Sequence, residues 1–330
     1  MRSCILTAIL CLALAGCSRE PVYNGKPLHQ WVSLLQDENF DTSGTPNSMG
    51  ASNAVRTIGP AAVPWLVEWT THPGSNVVET PPAFRILGLQ AASAIPELAE
   101  FLDHNRTNTD AEGPWVEAAT AISYLGPGAI PCMLAAATNK GADQKELIQD
   151  FGHLGTNGVS VIPKLIAWTS DSNSDVRVGA FNALGAIAME PETVVPLLRL
   201  ALKDPDPLVR REAANSLGSF GTAAKDAQPD LIQMLSDQDG QARDNAIGAL
   251  GKIGGDHSVV LPYLVKALND PDSGARLMAA LSLGDVGGPK AFDALMLSTD
   301  DKDKDVRAAV FRSLKKIDPV QFAKSGKSLH

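Results

Sequence analysis

Small and apolar residues recur along this chain at spacings of three and four, stop at a glycine, and begin again about 33 residues later. The segments "AANSLGSFG" at Ala213, "AIGALGKIG" at Ala246 and "AALSLGDVG" at Ala279 carry the pattern most clearly, with "AFNALGAIA" at Ala180 and "AATAISYLG" at Ala118 close to it. Weaker copies start at Ala51, Ala83, Leu147 and Val310, so that successive starts lie 32, 35, 29, 33, 33, 33, 33 and 31 residues apart. The spacing predicts a short amphipathic helix in each copy, closed by the final glycine, which tolerates the left-handed conformation that ends a helix. A second helix is expected to open at Pro64, Pro96, Pro131, Pro163, Pro196, Pro229 and Pro262, because proline suits a first helical position. Positions two, three and six after each proline are expected to face inward, as in Leu231, Ile232 and Leu235, or Leu264, Val265 and Leu268. Two short helices cannot cover each other's apolar faces, but stacked pairs can form one continuous core. The pattern therefore predicts an all-α protein, an α-solenoid of about nine two-helix repeats.

Charge adds a second periodicity. Asp171, Asp204, Asp237, Asp270 and Asp301 are each followed six residues later by Arg177, Arg210, Arg243, Arg276 and Arg307. Each Asp is expected to cap the first helix of the next repeat. Each Arg should then reach an Asp of its own or a neighbouring repeat, forming a ladder that fixes register. From Met49 to Thr169 the pair is missing: Ser48, Thr80, Trp115 and Gln144 precede those starts by three residues. "DPDPLVRREAANSLGSFG", "DQDGQARDNAIGALGKIG" and "DPDSGARLMAALSLGDVG" resemble HEAT repeats of the short phycobilisome-lyase type. The resemblance implies a right-handed superhelix that serves as a scaffold or peptide-binding surface. It divides the body into irregular HEAT-like repeats over 49–170, regular repeats over 171–318 and a tail at 319–330.

The N-terminus reads "MRSCILTAILCLALAGC", a charged start and an apolar run from Ile5 to Leu14 that is short for a membrane span. It resembles a bacterial lipoprotein signal ending in the lipobox Leu-Ala-Gly-Cys. That likeness implies removal of residues 1–16, lipid attachment at Cys17 and a tether over 17–26. Ser18 after the cysteine implies the outer membrane, with the body facing the periplasm. The following "EPVYNGKPLHQWVSLLQD" resembles the lead-in of other exported bacterial HEAT proteins, with a capping helix and loop over 27–48. Leu28, Trp31, Val32 and Leu35 form its expected apolar face.

The 330 residues carry a formal charge of −9, which argues against nucleic acid as a partner and against electrostatic adhesion to anionic lipid. Cys132 is the one cysteine beyond the N-terminal segment and reads as a small, inert helix residue. His29, His72, His104, His153, His257 and His330 show no metal-ligand spacing, and Asp301, Asp303 and Asp305 lack the glycine and closing Glu of a calcium loop. The expectation is no catalytic residue, no metal and no cofactor.

An asymmetry remains. Residues 18–169 hold 8 Lys and Arg against 15 Asp and Glu, all five tryptophans lie at or before Trp168, and two polar insertions, "QDENFDTSGTPNS" and "DHNRTNTDAEG", fall in this half. Outward positions of the second helices give Trp65, Glu68, Glu97 and Glu100 as candidate partner-binding residues, against Asp230, Gln233, Tyr263 and Lys266 in the later half. The sequence thus reads as a non-catalytic, lipid-anchored scaffold that binds a protein or peptide. The alternative is a subunit or accessory factor of a lyase-type or other envelope enzyme.

Overall fold

The computed structural model describes residues 19–35, 46–72, 79–105, 113–138 and 144–327. The signal-like segment, Cys17 and most of both polar insertions lie outside the described residues. The chain divides into two compact units, Met1–Asn157 and Gly158–His330.

The first unit opens with a small hairpin, β1 (Val22–Tyr23) paired with β2 (Lys26–Pro27) in the register Val22↔Pro27 and Tyr23↔Lys26. Its turn is Asn24-Gly25, with φ of +48° and +77°; positive φ at both central residues is what a two-residue hairpin loop requires. Helical periodicity does not announce this hairpin; the Asn-Gly dipeptide does. The hairpin orients α1 (Leu28–Ser33), whose Trp31 indole donates to the Tyr23 carbonyl at 3.0 Å. Leu28, Val32 and Leu35 are buried, and Trp31 is half-buried beneath the Lys26 ammonium.

Helices α2 (Pro46–Ile58), α4 (Pro81–Leu87) and α6 (Pro114–Ser123) then pack in succession, and α3 (Val63–Thr71), α5 (Ile95–His104) and α7 (Ile130–Ala137) form the second row. Helix α8 (Gln144–Gln149) follows. One register differs from expectation. The glycine that closes α4 is Gly88, at φ +52°, so the repeat placed at Ala83 starts three residues earlier, at the fully buried Thr80. A threonine there hides the small-residue position that marks the other repeats.

The second unit contains α9 (Ile162–Trp168), then first helices α10 (Ser174–Ile187), α12 (Pro207–Ser219), α14 (Gly240–Lys252), α16 (Ser273–Val286) and α18 (Lys304–Ile317). The second helices are α11 (Pro191–Ala201), α13 (Gln228–Met234), α15 (His257–Ala267) and α17 (Pro289–Leu297), and α19 (Pro319–Lys324) ends the series. Each first helix packs on the next, and each second helix packs chiefly against the first helix that follows it. Pro196 and Pro262 sit inside α11 and α15 instead of opening them. Pro191 and the Asp256 cap begin those helices five or six residues earlier. Each interior proline falls in the second turn, where it forfeits one early backbone bond. Position two after each proline is buried throughout, whereas position three is half-buried at Ala99, Leu134, Ile166, Arg199, Ile232 and Val265.

The recurrent Leu-Gly carries a different duty from the closing glycine. A Cβ on Gly251 would lie 2.9 Å from the Ser282 Cα, and one on Gly185 at the same distance from the Ser216 Cα. Ser216 and Ser282 donate to the Phe181 and Ile247 carbonyls of the preceding repeat, each at 2.9 Å. The first helices therefore meet backbone to backbone. Where the closing glycine is replaced by Ala188, the chain still takes the left-handed conformation, at φ +48°.

Two outcomes follow for stability. Gly251→Ala should cost roughly 1–3 kcal/mol in urea denaturation, because the new methyl meets a backbone atom that cannot yield. Ala188→Gly should stabilise by about 0.5–1 kcal/mol, the left-handed strain removed less the entropy that glycine adds to the unfolded chain.

Candidate functional site

The periodic charges resolve into a one-way ladder. Arg177 makes a two-pronged pair with Asp204 at 3.0 and 2.8 Å, Arg210 with Asp237 at 2.8 and 2.9 Å, and Arg276 with Asp301 at 2.8 and 3.0 Å. Each of these arginines reaches the Asp of the following repeat; to the Asp of its own repeat the ladder arginine donates only at the backbone carbonyl, as Arg177 does to Asp171 and Arg307 to Asp301. The helix caps stand two residues later than expected, at Asn173, Asp206, Asp239, Asp272 and Asp303. The ladder Asp instead accepts the N–H of its capping neighbour, Asp206 for Asp204 and Asp239 for Asp237. The same division of labour explains Asp301, Asp303 and Asp305: the first meets Arg276, and the second caps the third.

These pairs are nearly enclosed: Arg276 is 4% exposed. The Arg210 guanidinium holds the Asp237 carboxyl below the usual carboxylate range, and Arg276 does the same for Asp301. One rung is absent among the described residues. Arg243 keeps its bond to the Asp237 carbonyl at 3.0 Å but makes no ion pair with Asp270. Beside it, Asp244 stands where Arg211 stands one repeat earlier. Arg211 pairs two-pronged with the cap Asp239, whereas Asp244 faces the cap Asp272, a like charge. Burial first, then Asp272, push the Asp244 carboxyl up to about 6, and its Oδ1 is buried without a hydrogen-bond partner.

In the first unit, Glu68, Glu97 and Glu100 are exposed, on α3 and α5 of neighbouring repeats. Trp65 is half-buried, with its ring 6.2 Å from that of Trp69. It is a partly open edge of the core rather than a projecting anchor. Trp115 is buried, its indole donating to the Leu102 carbonyl at 3.1 Å. Trp168, grouped by sequence with the first half, belongs to the second unit, under the Lys164 ammonium. Among the later counterparts, Gln233, Tyr263 and Lys266 are exposed, but Asp230 is held by Arg199 at 2.6 Å.

A polar cluster in the first unit forms around His153, which has no metal-ligand spacing in the sequence. The His153 Nδ1 lies 2.8 Å from the Ser123 hydroxyl and 3.5 Å from Asp150, and the ring stacks on Tyr124 at 4.4 Å. Ser, His and Asp thus meet, but Ser123 is 0% exposed and its hydroxyl donates to the Thr120 carbonyl. Both partners crowd one ring nitrogen, where a nucleophile relay needs one on each. Burial pushes Asp150 up to about 7 and lowers His153, which favours the uncharged form of each, with the His153 ring open to solvent on one side. Burial likewise raises the Cys132 thiol, which donates to the Ala129 carbonyl. Among the described residues, no group of three or more His, Cys, Asp or Glu is arranged to hold a metal ion, and no helix is long and apolar enough to cross a membrane.

Arg210→Ala should lower stability by about 1–2 kcal/mol, since it breaks a two-pronged, nearly enclosed pair. Arg211→Ala should cost a comparable amount, and Arg243→Ala, which has no carboxylate to lose, clearly less, all read as urea midpoints. Asp244→Asn should stabilise the chain at pH 7.5 by roughly 1–2 kcal/mol. A carboxyl raised in the folded state is a penalty above its folded pKa that is relieved as pH falls. The advantage of the Asp244→Asn chain should therefore shrink through pH 6 and vanish near pH 4. The depressed Asp237 and Asp301 act oppositely, and their contribution is lost below the ordinary carboxylate range.

A family model of HEAT repeats matches residues 162–229 and 228–315. A search of curated proteins found no match. Among solved structures, Escherichia coli YibA is 17% identical over 83% of this chain and 99% of that one, with a TM-score of 0.50. The karyopherin Kap121p bound to the extreme C-terminus of the protein phosphatase Cdc14p is 13% identical over 90% of this chain and 42% of that one, at 0.51. Kap121p bound to Pho4p gives the same values. This chain thus spans about two fifths of the karyopherin, and at such identities the likeness speaks for the fold alone. Backbone-close first helices, a ladder that runs from repeat to repeat, the family match and the solved likenesses agree: residues 162–315 match HEAT repeats, and the chain is an all-α solenoid.

Proposed function

We propose that this protein is a lipid-anchored scaffold of the cell envelope that binds a protein or peptide through its solenoid surface, with Cys17 as the lipidation site. The observation that carries the reading is the junction of two sequence features: an apolar leader ending in Leu-Ala-Gly-Cys17, and a body of stacked helix pairs. Stacked helix pairs offer extended binding surfaces. Kap121p, of the same fold class, holds the C-terminus of Cdc14p, which supports a peptide or protein as the class of partner. Ser18 after the anchor favours the outer membrane, with the body facing the periplasm. Because Val22–Pro27 form the hairpin and Glu20 is bound to His29, only a few residues at about 3.3–3.6 Å each separate Cys17 from the folded body, so the first repeats work near the membrane.

The first-unit face with Glu68, Glu97 and Glu100, edged by Trp65, is the proposed contact surface. Trp65 is packed beside Trp69, so its truncation would disturb the core; the carboxylates are the cleaner probes. Intact mass of membrane-extracted protein should match a chain beginning at Cys17 plus acyl groups, and Cys17→Ser should release it unmodified. An unlipidated wild type would remove the anchor from this reading. Charge reversal at Glu68, Glu97 and Glu100 together should weaken capture of the partner from envelope extract with the melting temperature unchanged. Gln233→Lys with Lys266→Glu serves as the matched control. Loss in the control alone would move the binding surface to the second unit.

A further inference from the structure

The last HEAT repeat is shorter than the others. Sixteen residues separate each left-handed closing residue from the next ladder Asp at Ala188 and Asp204, Gly221 and Asp237, and Gly254 and Asp270, but only fourteen separate Gly287 from Asp301. One residue is lost from the connecting turn and one from the helix with its exit, so α17 begins directly at Gly288-Pro289 with no side-chain cap. Beside this shortened connection a groove of about 940 Å³ opens between α15 and α17. Leu261, Pro262 and Val265 on one wall, with Val286 and Ala294 on the other, make it apolar.

Its charge is unusual for this chain. Acids outnumber bases 37 to 28, yet no carboxylate lines the groove; its polar edge is Lys290 with His257 and Ser258. Of the neighbouring acids, Asp256 caps Ser258 and Asp285 pairs with Lys316, while Asp293 stands exposed on α17 outside the lining. Lys290 is exposed and makes no ion pair among the described residues. It stands in the first turn of α17, where the free end of the helix dipole also favours a negative group.

We infer that the groove between α15 and α17 binds an apolar peptide segment bearing a carboxylate, with its aliphatic or aromatic side chains on the Leu261–Val265 wall and the carboxylate at Lys290. The groove is open to solvent along one side. A fatty-acyl chain laid there would leave a flank of methylenes in water, whereas a peptide turns its polar backbone outward. Pairing with a single exposed ammonium supplies orientation more than affinity. This site is distinct from the first-unit face.

An array of acetylated, fluorescein-labelled octapeptides rich in leucine and phenylalanine tests it, with two glutamates at the start, middle or end, beside lysine-substituted matches. Binding to the full mature chain is read by fluorescence polarisation at low salt. At least one acidic peptide should bind, its lysine match about tenfold or more weakly, and the preference should fade at high salt. Lys290→Glu, an exposed change whose fold is checked by circular dichroism, should reverse the preference. Ala294→Trp should block both peptide classes, and charge reversal at Glu68, Glu97 and Glu100 should leave binding unchanged. Absence of any bound peptide, equal binding of acidic and basic forms, or an unaltered preference in Lys290→Glu would overturn the assignment. So would saturation of the groove by dodecanoate under conditions where no peptide binds.

Discussion

A serine hydroxyl can reach the backbone carbonyl of the preceding repeat only if the two helices lie nearly in backbone contact, and only glycine at the crossing leaves that space. Gly185 beneath Ser216 and Gly251 beneath Ser282 set this distance in the second unit. The rest follows from it. Close first helices bury Ala180, Ala213, Ala246 and Ala279 completely, and they bring the loops ahead of those helices within reach of an arginine from the repeat before. Close packing of small residues contributes dispersion contacts that a looser arrangement would forfeit.

The repeat was legible because its two periodicities, apolar and charged, agree from Asp171 to Arg307. The second helices were legible in which residues face inward at position two, less so in where they begin: Asp256 and Pro191 are stronger starts than the prolines five or six residues later. The cap was misread by two residues because both members of Asp204 and Asp206, or of Asp237 and Asp239, satisfy the same local rule. Only the loop geometry shows that the first takes an arginine and the second takes the helix. Thr80 concealed a register because threonine is neither small nor apolar by type, although here it is fully buried and shares a hydroxyl bond with Thr70. The candidate surface was the least legible part. Exposure of Glu68, Glu97 and Glu100 follows from helical phase, but the packing of Trp65 against Trp69 depends on neighbours that the period does not specify.

Electrostatics across the repeats is uneven in a way that sequence spacing conceals. Arg243 preserves the interval yet not the pair, because the interval fixes where its Cα lies and not where its side chain rests. Asp244, one residue on, shares a junction with Asp272, while Arg211 at the matching position meets a carboxylate. Two chemically opposite junctions therefore sit side by side in an otherwise regular stack, and near-neutral protonation affects only one of them. The cluster of Asp150 and His153 belongs to the first unit and is a different matter, held together by the hydrogen bond of His153 to Ser123 and its stacking on Tyr124.

The direction of the ladder bears on how such an array could grow. Because each paired arginine looks forward by one repeat, a duplicated segment of one period carries an acid that the previous copy already serves and an arginine that the next copy already answers. The cut need not fall in a loop; any two equivalent points will do, and no partner is stranded by the insertion. Besides the open rung at Arg243 and Asp270, the members left over are the outermost, an Asp171 with no arginine before it in the ladder and an Arg307 with no ladder Asp after it. A stack built this way can lengthen without redesign of its interior, and its chemistry of recognition is freest to change at its ends.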